Sequence, residues 1–236
     1  MLALKNVSKT YPGSVNKAIE NINLEIQEGD IYGFIGPNGA GKSTTIKAIV
    51  GIHDFDGEIT FNGLSIKEKP IEFKRDLAYI PDNPILYEHL SGIEYINFIL
   101  NIYGVKEKVD DKIQAYAKEF QLNERILDPI SSYSHGMMQK ISIIAALLHN
   151  PKLLVLDEPF VGLDPKATYE LKEILKRLCQ EEGLMVFFSS HVLDVVEKFC
   201  NKIAIIKDGK IIDSGLTNDV KGEGSLEDRF MEIFNE

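Results

Sequence analysis

The sequence predicts an α/β fold: a mostly parallel sheet wrapped by helices, with an N-terminal antiparallel β subdomain and an inserted α-helical subdomain. Three observations predict it. Through the second half, short apolar strand patterns alternate with helical ones, as in parallel β–α–β units. The first stretch, to about Glu28, instead carries closely spaced alternating segments. Between residues 91 and 130 the pattern is helical alone, which breaks the alternation.

In chain order, Leu2-Ala3-Leu4 and Ile22 to Ile26 read as strands, and Glu28-Gly29-Asp30 as a turn. Ile31 to Ile35 is apolar throughout, the mark of a buried strand, and it runs into a glycine-rich loop. Residues 43–50 read as a helix. Glu58 to Phe61 is a strand closed by Asn62-Gly63, a hairpin signal. Leu77 to Ile80 is a strand stopped by Pro81. Ser91 with Glu94 fits a capping box, and helices continue to about Phe120. A helix over about 136–149 precedes strand Leu153 to Leu156. Asp164 before Pro165 starts the next helix, a capping side chain followed by proline at the first helical position. Strand Met185 to Phe188, a helix from about Val192 and strand Ile203 to Ile206 complete the alternation.

A chain of 236 residues can bury a sizeable core. It is expected to form one domain, 1–236, with about 1–82 and 152–236 as a catalytic core and about 83–151 as a helical subdomain. No run of about 18 apolar residues is present to span a bilayer. The N-terminus lacks the basic and apolar regions of a secretion signal. Cys179 and Cys200 are expected as buried free thiols in a reducing compartment. The net charge of −10 counts against a nucleic-acid partner, because phosphate backbones select basic surfaces.

Gly36-Pro37-Asn38-Gly39-Ala40-Gly41-Lys42-Ser43 matches the phosphate-loop pattern in full, with an apolar strand before it and a helix after it. Backbone N–H groups of such a loop, through Thr44, can surround phosphates. Lys42 would neutralise the β- and γ-phosphates, and Ser43 would ligate Mg²⁺. Asp157 and Glu158 end an apolar strand, where open parallel sheets bind ligands. Asp157 suits a Mg²⁺ contact. Glu158 suits orienting or deprotonating an attacking water.

The most restrictive stretch is Tyr133-Ser134-His135-Gly136-Met137, some twenty residues before Leu153-Leu154-Val155-Leu156-Asp157-Glu158-Pro159. With the phosphate loop, it resembles the nucleotide-binding subunit of ATP-binding cassette (ABC) transporters, over essentially the whole chain. The resemblance implies a P-loop NTPase fold and ATP hydrolysis with Mg²⁺. Tyr133 to Met137 looks like a variant of the family's Leu-Ser-Gly-Gly-Gln signature, found in an exporter-like bacterial branch. It implies that Ser134 and Gly136 touch the γ-phosphate held by an opposite subunit. His135 replaces a glycine and Met137 a glutamine.

By the same resemblance, Gly162-Leu163-Asp164 is a D-loop, His191 a switch histidine on the γ-phosphate, and Tyr11 an aromatic that stacks on adenine. Asp82 departs from the pattern. It stands where the family usually has glutamine, and it can approach Mg²⁺ or a water. The segment after it, with Tyr87, Glu88 and His89, is expected to receive a helix of a membrane subunit. Most of Ile93, Ile96, Phe98, Ile99, Ile102 and Tyr103 is expected to be subdomain core.

The implied protein is an ATPase subunit that pairs with a second cassette, identical or paralogous. It would drive a separate transmembrane permease, for export of a peptide, lipid or drug-like substrate. It would sit in the cytoplasm, peripheral on the inner face of the membrane. The residues after Leu226 to Phe230 leave little room for an added regulatory domain. Two other readings stand beside this one. A soluble cassette ATPase acting on ribosomes or DNA would carry a second cassette or a long coiled coil. A nucleotide-binding module without catalysis would lack some of Lys42, Asp157, Glu158 and His191.

Overall fold

In the computed structural model, which describes residues 1–235, strand β3 (Ile31–Ile35) is buried along its whole length. It lies inside a six-stranded sheet. Its neighbours are β8 (Met185–Ser190) and β9 (Lys202–Lys207), both parallel to it. Beyond β8 come β7 (Leu153–Asp157) and β6 (Leu77–Ile80), again parallel. Beyond β9 comes β10 (Lys210–Leu216), the one antiparallel strand of this sheet among the described residues.

A second sheet is antiparallel, in the order β2 (Lys17–Ile26), β1 (Leu2–Thr10), β4 (Asp56–Phe61), β5 (Leu64–Ser65). Asn62 and Gly63 make the two-residue β4–β5 turn, both at positive φ as a type I′ hairpin requires.

The large sheet separates two cores, and its strands alternate between them. Leu154, Leu156, Val186 and Phe188 point to one side. There they meet α5 (His135–Leu148), α6 (Pro165–Glu182) and α7 (Leu193–Phe199). Leu153, Val155, Met185 and Phe187 point to the other side, against α1 (Lys42–Ile49) and the antiparallel sheet. Phe187 and Phe188 are both fully buried, on opposite faces. Each burial contributes about 1.5–3 kcal/mol.

Between β6 and β7 lie α3 (Gly92–Ile102) and α4 (Asp110–Glu119), which pack on α5. The expected caps form. Ser91 Oγ accepts from the Glu94 N–H at 3.4 Å, and Glu94 Oε2 accepts from the Ser91 N–H at 2.8 Å. Asp164 Oδ1 accepts from the Ala167 N–H at 2.9 Å, and Gly183, left-handed at φ 69°, ends α6.

Four elements go beyond the sequence reading. Helix α2 (Pro70–Arg75) buries Phe73 alone, too little for a helical period to show. Strand β10 is an edge strand whose exposed and half-buried residues leave no apolar run. Helices α8 (Thr217–Lys221) and α9 (Leu226–Asn235) pack on each other behind it. Strand β8 also runs two residues past Phe188. Ser189 and Ser190 are polar yet buried, paired in parallel to β3.

Candidate active site

The loop after β3 turns under the edge of β9. A Cβ at Gly36 would stand 2.4 Å from the Ile206 carbonyl oxygen, so no other residue fits there. Gly41 has φ 111°, and a Cβ there would meet Ile19 Cγ2 at 2.7 Å. These contacts press the loop down so that Lys42 enters α1 from inside the protein. Lys42 is 7% exposed. Its Nζ donates to the carbonyls of Gly36 at 2.8 Å and Pro37 at 3.2 Å, and stands 3.8 Å from Glu158 Oε1. Burial holds its pKa below the ordinary lysine value, and the Glu158 and Asp157 charges counteract that.

Asp157 and Glu158 leave β7 at its C-terminal end. Ser189, across on β8, organises both. Its Oγ donates to Asp157 Oδ1 at 2.5 Å and accepts from the Glu158 N–H at 3.0 Å. Glu158 is left-handed, at φ 49°, a conformation that costs a residue with a Cβ about 1–2 kcal/mol. The turn aims its side chain back over Lys42. His191, just past β8, brings Nδ1 within 3.0 Å of Glu158 Oε2.

Lys42, Asp157 and Glu158 meet in one cleft of about 370 Å³, lined also by Tyr11, Asn38, Ser43, Thr44 and Asp82, while His191 reaches Glu158 from outside this lining. Its polar groups are cationic and N–H donors on one side and oxygen ligands on the other. Such a cleft can hold a polyphosphate on the loop and a hard cation among Ser43, Asp157 and Asp82. Tyr11 lies at the cleft mouth. Its hydroxyl is 3.2 Å from Thr44 Oγ1, and His53 meets its ring edge-on at a centroid distance of 5.4 Å.

Ser134 and Gly136 do not line this cleft. Ser134 caps α5 by accepting from the Met137 N–H at 3.3 Å, so the start of that helix lies outside the cleft that holds Lys42 and Glu158. Asp164 likewise lies outside it, its carboxylate holding the start of α6.

A model of the family described as "ABC transporter" matches residues 19–161, which span the phosphate loop, the Ser134 turn and Asp157-Glu158. The chain belongs to the ABC transporter family. It is 40% identical to the ABC transporter ATP-binding protein YhcH of Bacillus subtilis (strain 168), over 90% of this chain and 69% of that protein. It is 35% identical to the lantibiotic transport ATP-binding protein SrtF of Streptococcus pyogenes, over 98% of this chain and 96% of that one. Among solved structures it resembles the ATP-binding cassette MJ0796, a dimer in a post-hydrolysis state bound to ADP and Pi. That match has a TM-score of 0.82 and 27% identity, covering 92% of this chain and 99% of that chain. The protein is therefore an ABC cassette with the P-loop NTPase fold, a nucleotide-binding ATPase subunit.

Two residues of this ABC cassette emerge only from the structure. Ser189 was adjacent to a motif in the sequence, but its partner Asp157 is 32 residues away. Gln139 is 1% exposed on α5, and its Nε2 donates to the Pro159 carbonyl at 2.8 Å. Gln139 and Ser142 are polar residues in an otherwise apolar helical stretch, which marks them as unusual but names no partner.

A second concavity of about 160 Å³ opens between β6 and α3, lined by Pro81, Pro84, Leu86, Tyr95, Tyr103 and His149. Around it Ile85, Tyr87 and Ile102 are more than half or about half exposed, at 92%, 50% and 63%. The apolar set on α3 is thus divided. Ile96 is core, while Phe98, Ile102 and Tyr103 face outward in part.

Proposed function

We propose that two of these cassettes, identical or paralogous, close head to tail over two ATP molecules. The cycle of closing and reopening drives a separate permease at the inner face of a membrane. The observation that carries this reading is the split of the site: the Ser134 helix N-terminus lies outside the cleft that holds Lys42 and Glu158. Each chain has one half-site for a phosphate and one helix start with nothing of its own to bind. Among the described residues no helix is long and apolar enough to cross a membrane, so a permease would be another chain.

In this reading Tyr11 stacks on adenine, and the loop from Gly36 to Thr44 wraps the phosphates. Lys42 leaves the Gly36 and Pro37 carbonyls to meet the β- and γ-phosphates. Ser43, Asp157 and Asp82 would hold Mg²⁺, which would neutralise charge on the phosphate oxygens. Glu158 accepts the proton of the attacking water. Its side chain is 16% exposed, and its buried Oε2 accepts no hydrogen bond among the described residues, so it is free to take that role. His191, whose Nδ1 stands 3.0 Å from Glu158 Oε2, meets the γ-phosphate. The partner's Ser134 and the partner's Gly136 close over the same phosphate. The outward apolar groove beside Asp82 receives the permease. SrtF is named for lantibiotic transport, which supports a peptide among the peptide, lipid or drug-like cargoes; outward movement is part of the proposal.

The test is the Glu158→Gln chain, tagged and recovered from solubilised membranes with Mg-ATP. It should dimerise with ATP, bring a polytopic membrane protein with it, and turn over at least about 10²-fold more slowly than the parent. Parent-rate hydrolysis would refute the role of Glu158. Recovery of ribosomal or other soluble proteins alone would refute the transporter role.

A further inference from the structure

Gln139 touches the catalytic loop rather than its own helix. Its Nε2 donates to the Pro159 carbonyl, and its Oε1 is buried without a partner among the described residues. An orphaned acceptor in a core is a cost. A methionine would fill the same length without it, so packing does not account for the amide. Pro159 has no N–H, so its carbonyl is the one backbone group by which that residue can be held.

We propose that Gln139 is a positioning residue for Glu158. It ties the helix that begins at Ser134 to the loop that carries the carboxylate, so that a displacement of the Ser134 turn is passed to the reacting group. This rests on the reading of Glu158 as the base. Glu158 is left-handed at φ 49°, a conformation the surrounding structure has to hold. Ser189 pins it from its N–H side at 3.0 Å. Gln139 pins it from the other side, through the next carbonyl at 2.8 Å.

The same helix touches the loop a second time. A Cβ at Gly162 would stand 2.8 Å from His135 Cδ2, so the His135 ring lies directly on the D-loop backbone. His135 is the residue that departs from glycine in the signature. Between these two contacts the loop is a compact pair of turns. The Val161 N–H donates to the Glu158 carbonyl at 3.2 Å, and the Leu163 N–H to the Phe160 carbonyl at 3.4 Å. A rigid helix in contact at both ends of a short, turn-locked loop moves that loop with it.

Two variants test this. Gln139→Met removes the donor and the orphaned oxygen together. In the nucleotide-free chain, the amides of residues 160–163 should exchange with deuterium about tenfold faster, while those of β3 and β7 do not change. In the membrane complex, kcat for ATP should fall about tenfold with KM within about twofold, and the melting temperature should not drop. Gln139→Glu supplies the rescue. Its neutral carboxyl can donate to the Pro159 carbonyl and its ionised form cannot. Its kcat relative to the parent at the same pH should therefore rise as pH is lowered. Exchange and kcat both at parent values would overturn the proposal. So would a Gln139→Met chain that melts lower and loses kcat and KM together, the mark of general loosening. Parent-rate turnover of Glu158→Gln would sink the base assignment itself, and the exchange result would still show whether the tie exists.

Discussion

His191 Nδ1 stands 3.0 Å from Glu158 Oε2, the buried carboxylate oxygen that accepts no other contact. The His191 side chain is 53% exposed against 16% for Glu158, so an accessible imidazole stands beside a largely enclosed carboxylate. An imidazole at this distance from the base can take up or give a proton beside it. His191→Ala should therefore lower kcat by about 10²-fold while ATP affinity stays within about twofold. Steady-state turnover and nucleotide titration check it. Unchanged kcat would remove His191 from the chemistry.

Asp82 lies where the nucleotide cleft meets the exposed apolar groove. It lines the cleft, and its Oδ1 accepts from the Asn83 N–H at 2.9 Å, shaping the turn that leads to Pro84 and Ile85. Asp82→Ala should reduce permease-stimulated turnover several-fold more than it reduces ATP affinity. The comparison needs basal rate, stimulated rate and ATP binding on the same preparation. Full stimulation in the variant would exclude the coupling role.

Tyr11 offers its ring to the cleft, with Thr44 on its hydroxyl and His53 on its edge. A base stacked on an aromatic ring contributes about 1–3 kcal/mol. Tyr11→Ala should raise the KM for ATP by about tenfold with kcat little changed. Tyr11→Phe, which keeps the ring and loses the Thr44 contact, should shift it by about twofold at most. An unchanged KM in Tyr11→Ala would place adenine elsewhere.

His149 predicts a pH effect on stability. Its ring stacks on Tyr103 with centroids 3.7 Å apart, and neither of its buried nitrogens makes a hydrogen bond of ordinary geometry among the described residues. Burial pushes its pKa below the ordinary 6.5, although the nearby Leu77 and Ala145 carbonyls and the Asp76 charge oppose this. The unfolded chain thus binds the proton more readily than the folded one. This contribution to stability is complete above the ordinary value and is lost as pH falls below it, with a slope of at most about 1.4 kcal/mol per pH unit. Melting curves from pH 7.5 down to about 5.5 should show a smaller acid-side loss in His149→Phe than in the parent. Equal losses would show that other groups carry the effect.

The legible parts of this molecule were those where chemistry repeats along the chain. Ile31 to Ile35 and Leu77 to Ile80 were readable as strands to the residue, because each is an apolar run closed by a loop signal or a proline. Ser91 and Asp164 were readable as caps because capping is local. Ser189 and Gln139 were not, because each acts on partners 20 or more residues away, Ser189 through two hydrogen bonds and Gln139 through one. No periodicity records such a pair. The outward turn of Ile102 escaped for a related reason. An apolar residue on a helix reads the same whether it meets a core or a visitor.

The large sheet is also a partition. Leu154 and Leu156 serve one core and Leu153 and Val155 the other, along a single five-residue strand. The compartment behind one face grips the phosphate loop. The compartment behind the other supports α3, α5 and the outward groove. The wall is crossed at two places, the turn at Asp82 and the Gln139 tie to the Pro159 carbonyl. Most of the surface on the groove side can therefore vary freely, while these two crossing points are held to the chemistry on the far side.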